Sequence, residues 1–89
     1  MNARQRKIVL ALSECWKQHG KAPSVALVSR LAGFSETTVY DEIFALSDLG
    51  MVSFRKLESA KGYECLEAEL TRRAESLLPR VKELHDQGE

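Results

Sequence analysis

Long apolar runs are missing from this sequence, and no stretch approaches the ~20 residues that a membrane-spanning helix needs. Cysteine is scarce: Cys15 and Cys65 are the only two, too few and too far apart for a disulfide framework. The five glycines are isolated, so no phosphate-cradling loop is present, and no nucleophile signature surrounds any serine. Charge of one sign is not in excess either, with 13 Lys and Arg against 13 Asp and Glu. The first seven residues are basic, but polar residues soon interrupt the apolar positions behind them. A signal peptide is therefore not expected, and the chain reads as cytoplasmic. At 89 residues it is long enough for one domain whose core leaves little room for a deep catalytic cavity. No enzyme and no cofactor are expected.

What is present is a normal apolar fraction, 44%, enough for a packed fold. The zero net charge hides a division. Residues 1–30 carry Arg4, Arg6, Lys7, Lys17, Lys21 and Arg30 against Glu14 alone, and the remaining chain is acidic by the same margin. Such a split bears on partners more than the total does. Cys15, His19, Cys65 and His85 make a nominal zinc set, but their spacing matches no closed zinc signature. Cys15 also falls on an apolar helix face, where a free thiol packs as a small hydrophobe. No metal site is expected.

The spacing of apolar residues predicts four helices and a hairpin. Asn2 can cap a first helix with Ile8, Val9, Leu12, Cys15, Trp16 and His19 on one stripe, ended by Gly20. Ser24 caps a short second helix whose inner side is Leu27, Val28 and Leu31. Gly33 turns the chain, Phe34 enters the core, and Ser35 caps a third helix with Val39, Ile43, Leu46 and Leu49 inward. Gly50 closes it. Residues 51–57 and 63–70 then read as two strands joined by a polar loop, with Val52 and Phe54 on one face and Leu66, Ala68 and Leu70 on another. Thr71 can cap a last helix with Ala74, Leu77, Leu78, Val81 and Leu84 as its stripe, which Pro79 should bend or split near residue 78.

Helix, short helix, tight turn, helix, hairpin, helix is the order of a winged helix-turn-helix, mostly α with a β-hairpin wing. The expected core of the motif is 24–50, the wing 51–70 and the C-terminal helix 71–86, within one domain spanning 1–89. Arg4-Gln5-Arg6 with Ile8, then Gly20-Lys21-Ala22-Pro23-Ser24-Val25, resembles the opening of LexA-type DNA-binding domains. Leu31-Ala32-Gly33-Phe34-Ser35, Thr38-Val39, Leu46, Leu49-Gly50 and Val52 continue that pattern, and similar strings occur in winged-helix modules of phage and plasmid replication proteins. Leu70-Thr71-Arg72-Arg73-Ala74 with Leu77-Leu78-Pro79 looks like the strand-to-helix junction of MarR- and PadR-like regulators. The LexA family's self-cleaving protease part has no counterpart in these residues.

In a helix-turn-helix the second helix of the motif enters the major groove with its first residues against base edges. Base reading is therefore expected from Thr37, Thr38, Tyr40 and Asp41, through hydroxyls, a thymine-methyl contact and acceptance from cytosine N4. The LexA resemblance places Thr37, Tyr40 and Asp41 at reading positions. The helix holds four acids and no base, which weakens sequence-independent affinity. Contacts to the DNA backbone are expected from Ser24, Arg30, Ser35, Arg55, Lys56 and Lys61, with Arg4, Lys7 and Lys21 close by. Leu77, Leu78, Val81 and Leu84 are expected to pair with a second subunit, because a helix-turn-helix dimer reads two halves of a palindrome. The expected partners are double-stranded DNA and a second copy, with no membrane. The function these features imply is that of a small sequence-specific transcriptional regulator of prokaryotic, phage or plasmid type. The competing reading is a protein-interaction module whose acidic third helix faces a partner.

Overall fold

The computed structural model describes residues 1–20, 23–58 and 64–87, without the side chains of 56–58 and 64–67. The elements follow the expected order: α1 (Ala3–His19), α2 (Val25–Ala32), α3 (Glu36–Asp48), β1 (Val52–Glu58), β2 (Glu64–Leu70) and α4 (Arg72–Asp86). Together they form a winged helix-turn-helix with a two-stranded antiparallel wing.

Each helix begins where a side chain can satisfy its first free N–H groups. Asn2 Oδ1 accepts from the Gln5 amide at 2.8 Å, and Gln5 Oε1 accepts from the Asn2 amide at 3.1 Å, a reciprocal capping box. Ser24, Ser35 and Thr71 accept from the amides of Leu27, Thr38 and Ala74. Gly33 ends α2 at φ 79°, a left-handed conformation that a Cβ would make costly. The turn behind it is fastened by the Ser29 hydroxyl, which donates to the Phe34 carbonyl, and by the Phe34 amide, which donates to Ser29 at 3.2 Å.

The core is built from Ile8, Val9 and Leu12 of α1, Val25 and Val28 of α2, Val39, Ile43 and Leu46 of α3, and Val52, Ala68, Ala74 and Val81 beyond. In the wing, Val52 pairs with Leu70 and Phe54 with Ala68, continuing to Glu58 opposite Glu64. Its base is tied down twice. The Thr71 amide donates to Met51 at 3.1 Å and the Thr71 hydroxyl donates to the Gly50 carbonyl at 2.7 Å.

Several expected core positions lie outside it. Trp16 is 45% exposed and Leu31 52%, while His19 and Leu49 are also exposed and Leu27 is half-buried. Residues 16–20 are exposed throughout, Trp16 lining an open groove with Leu70 of β2 and Leu78 of α4. Leu31 precedes the packed Ala32, so it is turned ~100° away from it around the helix. Val25 takes the inner place instead. Helix α4 runs unbroken through Pro79, which lies on its exposed side. The proline has no N–H to donate to the Glu75 carbonyl one turn earlier.

The expected dimer set requires a larger correction. Val81 is 2% exposed and sits in the core of its own subunit, so it is unavailable to a partner. Leu78 packs against that core and Leu84 is half-buried, leaving Leu77 as the exposed member.

Cys15 is fully buried. Burial pushes its thiol pKa up, and the neighbouring Glu14 carboxylate adds to the shift. The unfolded thiol thus ionises first, so this group's contribution to stability falls as pH rises past its ordinary value. Alkylation of Cys15 in the native protein at mildly alkaline pH should be slow and should accelerate in denaturant, as followed by mass spectrometry of its peptide. Rapid native labelling would contradict the packing.

Candidate nucleic-acid interface

Helix α3 is held in one rotational setting. Val39, Ile43 and Leu46 are each 0% exposed, and fully burying such a side chain contributes about 1.5–3 kcal/mol. The opposite face is thereby fixed outward. It carries Glu36, Thr37, Asp41, Phe44 and Asp48, all exposed, with Thr38 and Tyr40 half-buried beside them. Thr37 and Asp41 are four residues apart, so they stand one above the other on the helix.

The expected reading residues divide by what they touch. The Ser35 hydroxyl donates to Thr38 Oγ1 at 3.0 Å while accepting from the Thr38 amide at 3.2 Å. Thr38 and Ser35 are thus engaged in the cap, whereas Thr37 and Asp41 project freely. Tyr40 packs partly on the core and its ring centroid lies 6.4 Å from that of Phe44. Phe44 meets Phe54 of β1 edge-on at 5.1 Å. This aromatic row couples the outer face of α3 to the wing. The one-turn spacing of Tyr40 and Phe44 was visible in the sequence, but the contact with Phe54 crosses two elements and was not.

The electrostatics also differ from a simple acidic helix. Glu42 is turned toward α1, where its carboxylate meets Arg4 at 3.5 Å with its side chain 13% exposed. Arg4 and Lys7 also sit over the Phe34 ring, 5.9 and 5.7 Å from its centroid, within range of a cation–π attraction. Two basic residues of α1 are thereby gathered behind the α2–α3 turn. Three acids, Glu36, Asp41 and Asp48, remain on the exposed surface of α3.

The expected phosphate contacts are dispersed around this face. Ser24 is exposed at the start of α2, Arg30 near its end, and Arg55 on β1. Lys56 belongs to β1 with its side chain undescribed, and Lys61 and Lys21 lie outside the described residues. Arg73 was not singled out from the sequence. A methyl group built on Gly50 would lie 3.6 Å from its Nη1, so this guanidinium lies over the junction of α3 and the wing.

No family model and no curated protein matches the sequence. Solved structures do match the fold. A MarR-family transcriptional regulator from Rhodococcus sp. RHA1 superposes with a TM-score of 0.75 at 13% identity, over 97% of this chain and 56% of that one. The Aeropyrum pernix ORC1 protein, solved in complex with DNA, gives 0.73 at 19% identity over 94% and 26%. A presumed DNA-binding protein from Ralstonia eutropha JMP134 gives 0.71 at 17% over 91% and 96%. This chain therefore spans little more than half of that MarR-family structure and nearly all of the Ralstonia one. The fold is that of a MarR-like winged helix-turn-helix, the class expected from the residues around Leu70–Pro79.

Proposed function

We propose that this chain is a non-enzymatic, sequence-specific DNA-binding protein that acts in transcriptional regulation in the cytoplasm of a prokaryote, or for a phage or plasmid. The observation that carries the reading is the outer face of α3, where Thr37 and Asp41 are exposed on a helix locked by three fully buried residues. A rigid platform is what base reading requires. The presence of this fold in transcriptional regulators and in a protein solved with DNA supports the same reading. In this proposal Thr37, Tyr40 and Asp41 meet base edges. Ser24, Arg30, Ser35, Arg55, Lys56 and Lys61 meet the DNA backbone, and two copies joined through α4, with Leu77 exposed on it and Leu84 half-buried, read a palindrome.

A titration with random duplex and with selected sites, over a range of salt, tests the proposal. Thr37→Ala and Asp41→Ala should each lower discrimination by about 1–3 kcal/mol while the protein stays folded. Lys56→Ala and Lys61→Ala should weaken all sequences alike and flatten the salt slope. If the α3 variants weaken cognate and scrambled duplexes equally, those residues are not the readers. The second reading, a protein-interaction face, is favoured by Phe44, which is 39% exposed among the acids of α3. Failure to bind any duplex at low salt would select it.

A further inference from the structure

Phe44 shares the outward stripe of α3 with the residues assigned to base reading. Successive residues turn by ~100° about a helix axis, so Thr37 and Phe44, seven apart, lie within ~20° of one another. Both are exposed, on the side away from the buried Val39, Ile43 and Leu46. Phe44 is 39% exposed, whereas Tyr40, one turn earlier, is half-buried and packs on the core. The open ring is nevertheless braced. Phe54, itself packed on the core, meets it edge-on with centroids 5.1 Å apart, and the Tyr40 ring lies 6.4 Å away, both separations typical of favourable aromatic pairs.

We infer that Phe44 is a specificity-determining residue that meets the methyl group of a thymine in the major groove. The inference rests on the DNA-binding reading above and moves apolar reading from Tyr40 to the ring that the structure leaves open. The chemistry of the groove selects the ligand. Base edges there present hydrogen-bond donors, acceptors and one apolar feature, the thymine methyl. A phenyl ring has no hydrogen-bonding group, so it gains by covering that methyl and loses by covering a polar edge that is left unpaired. Thr37 and Asp41 bring a hydroxyl and a carboxylate to the same stripe, and Phe44 brings the apolar member. Its Cα lies about 10 Å along the axis from that of Thr37, the length of about three base steps, so the two meet different base pairs. Because two neighbouring rings hold it, little side-chain freedom is left to lose on contact.

The test replaces each thymine of the duplex selected for the wild-type chain, one at a time, by uracil, which removes only the methyl group. One replacement should lower wild-type affinity about fourfold, the effect of uncovering one methylene-sized group. Phe44→Ala should bind the thymine and uracil duplexes alike at that position, with unchanged circular dichroism. Its salt slope should match wild type, because no phosphate contact is lost. Phe44→Leu, still apolar, should keep part of the discrimination, and Thr37→Ala should keep all of it there. The uracil series on the wild-type chain stands whatever the stability of the variants. A wild type indifferent to every replacement, or a Phe44→Ala variant as sensitive as wild type, would overturn the inference and leave reading by Thr37 and Asp41 standing. A chain that binds no duplex at low salt would overturn both.

Discussion

Val81→Asp should abolish cooperative folding, whereas Leu77→Glu, four residues earlier on the same helix, should leave a folded protein. Val81 is 2% exposed and Leu77 37%. Replacing the valine removes about 1.5–3 kcal/mol of apolar burial. It also places a carboxylate within the apolar core cluster that holds Val81, at a cost of several kcal/mol more. A domain of this kind is stable by only about 5–15 kcal/mol, so the sum removes most or all of it. Thermal unfolding followed by circular dichroism should show no transition for the Asp variant and a nearly normal one for Leu77→Glu. Equal behaviour of the two would mean that α4 is not packed with Val81 inward.

The second large effect is expected at Thr71. Its hydroxyl accepts from the Ala74 amide at 3.3 Å, capping α4, and donates to the Gly50 carbonyl at 2.7 Å, holding the end of α3. Valine has nearly the same shape without either bond. Losing an N-cap costs about 1 kcal/mol and losing a further hydrogen bond about 0.5–1.5 kcal/mol. Thr71→Val should therefore lose about 2 kcal/mol, which for a domain of this size lowers the melting temperature by roughly 8–16 °C. Thr71→Ser should recover most of the loss. Full stability in the valine variant would show that the hydroxyl is dispensable at this junction.

The capping residues explain why so much of the fold was legible in the sequence. Asn2, Ser24, Ser35 and Thr71 act on amides within three residues of themselves, so local pattern suffices to find them. The same holds for Gly20 and Gly33 and for the inner face of α3. What local pattern does not contain is how far neighbouring elements reach. Trp16 lies on the right stripe of α1 but stays 45% exposed where that helix meets β2 and α4. Val81 fits an apolar stripe equally well whether that stripe faces its own core or another subunit. The pairing of Arg4 with Glu42 joins residues 38 apart, and no spacing rule indicates it. The outward set on α3 was legible because it is the complement of an unambiguous buried face. The division between the capping Thr38 and the open Thr37 depended on a hydroxyl orientation that the sequence does not specify.

The inward turn of Glu42 has a consequence for how such a protein would find its target. With that acid compensated by Arg4, the outer face of α3 still presents three acids and no base. Attraction to arbitrary DNA depends on neutralising phosphates, so in the proposed reading α3 contributes none of it and the flanking Arg30, Arg55, Lys56 and Lys61 would supply it. Hold and choice would then be carried by separate parts of the surface, and changing the α3 readers would alter which duplex is kept without altering how firmly arbitrary DNA is held.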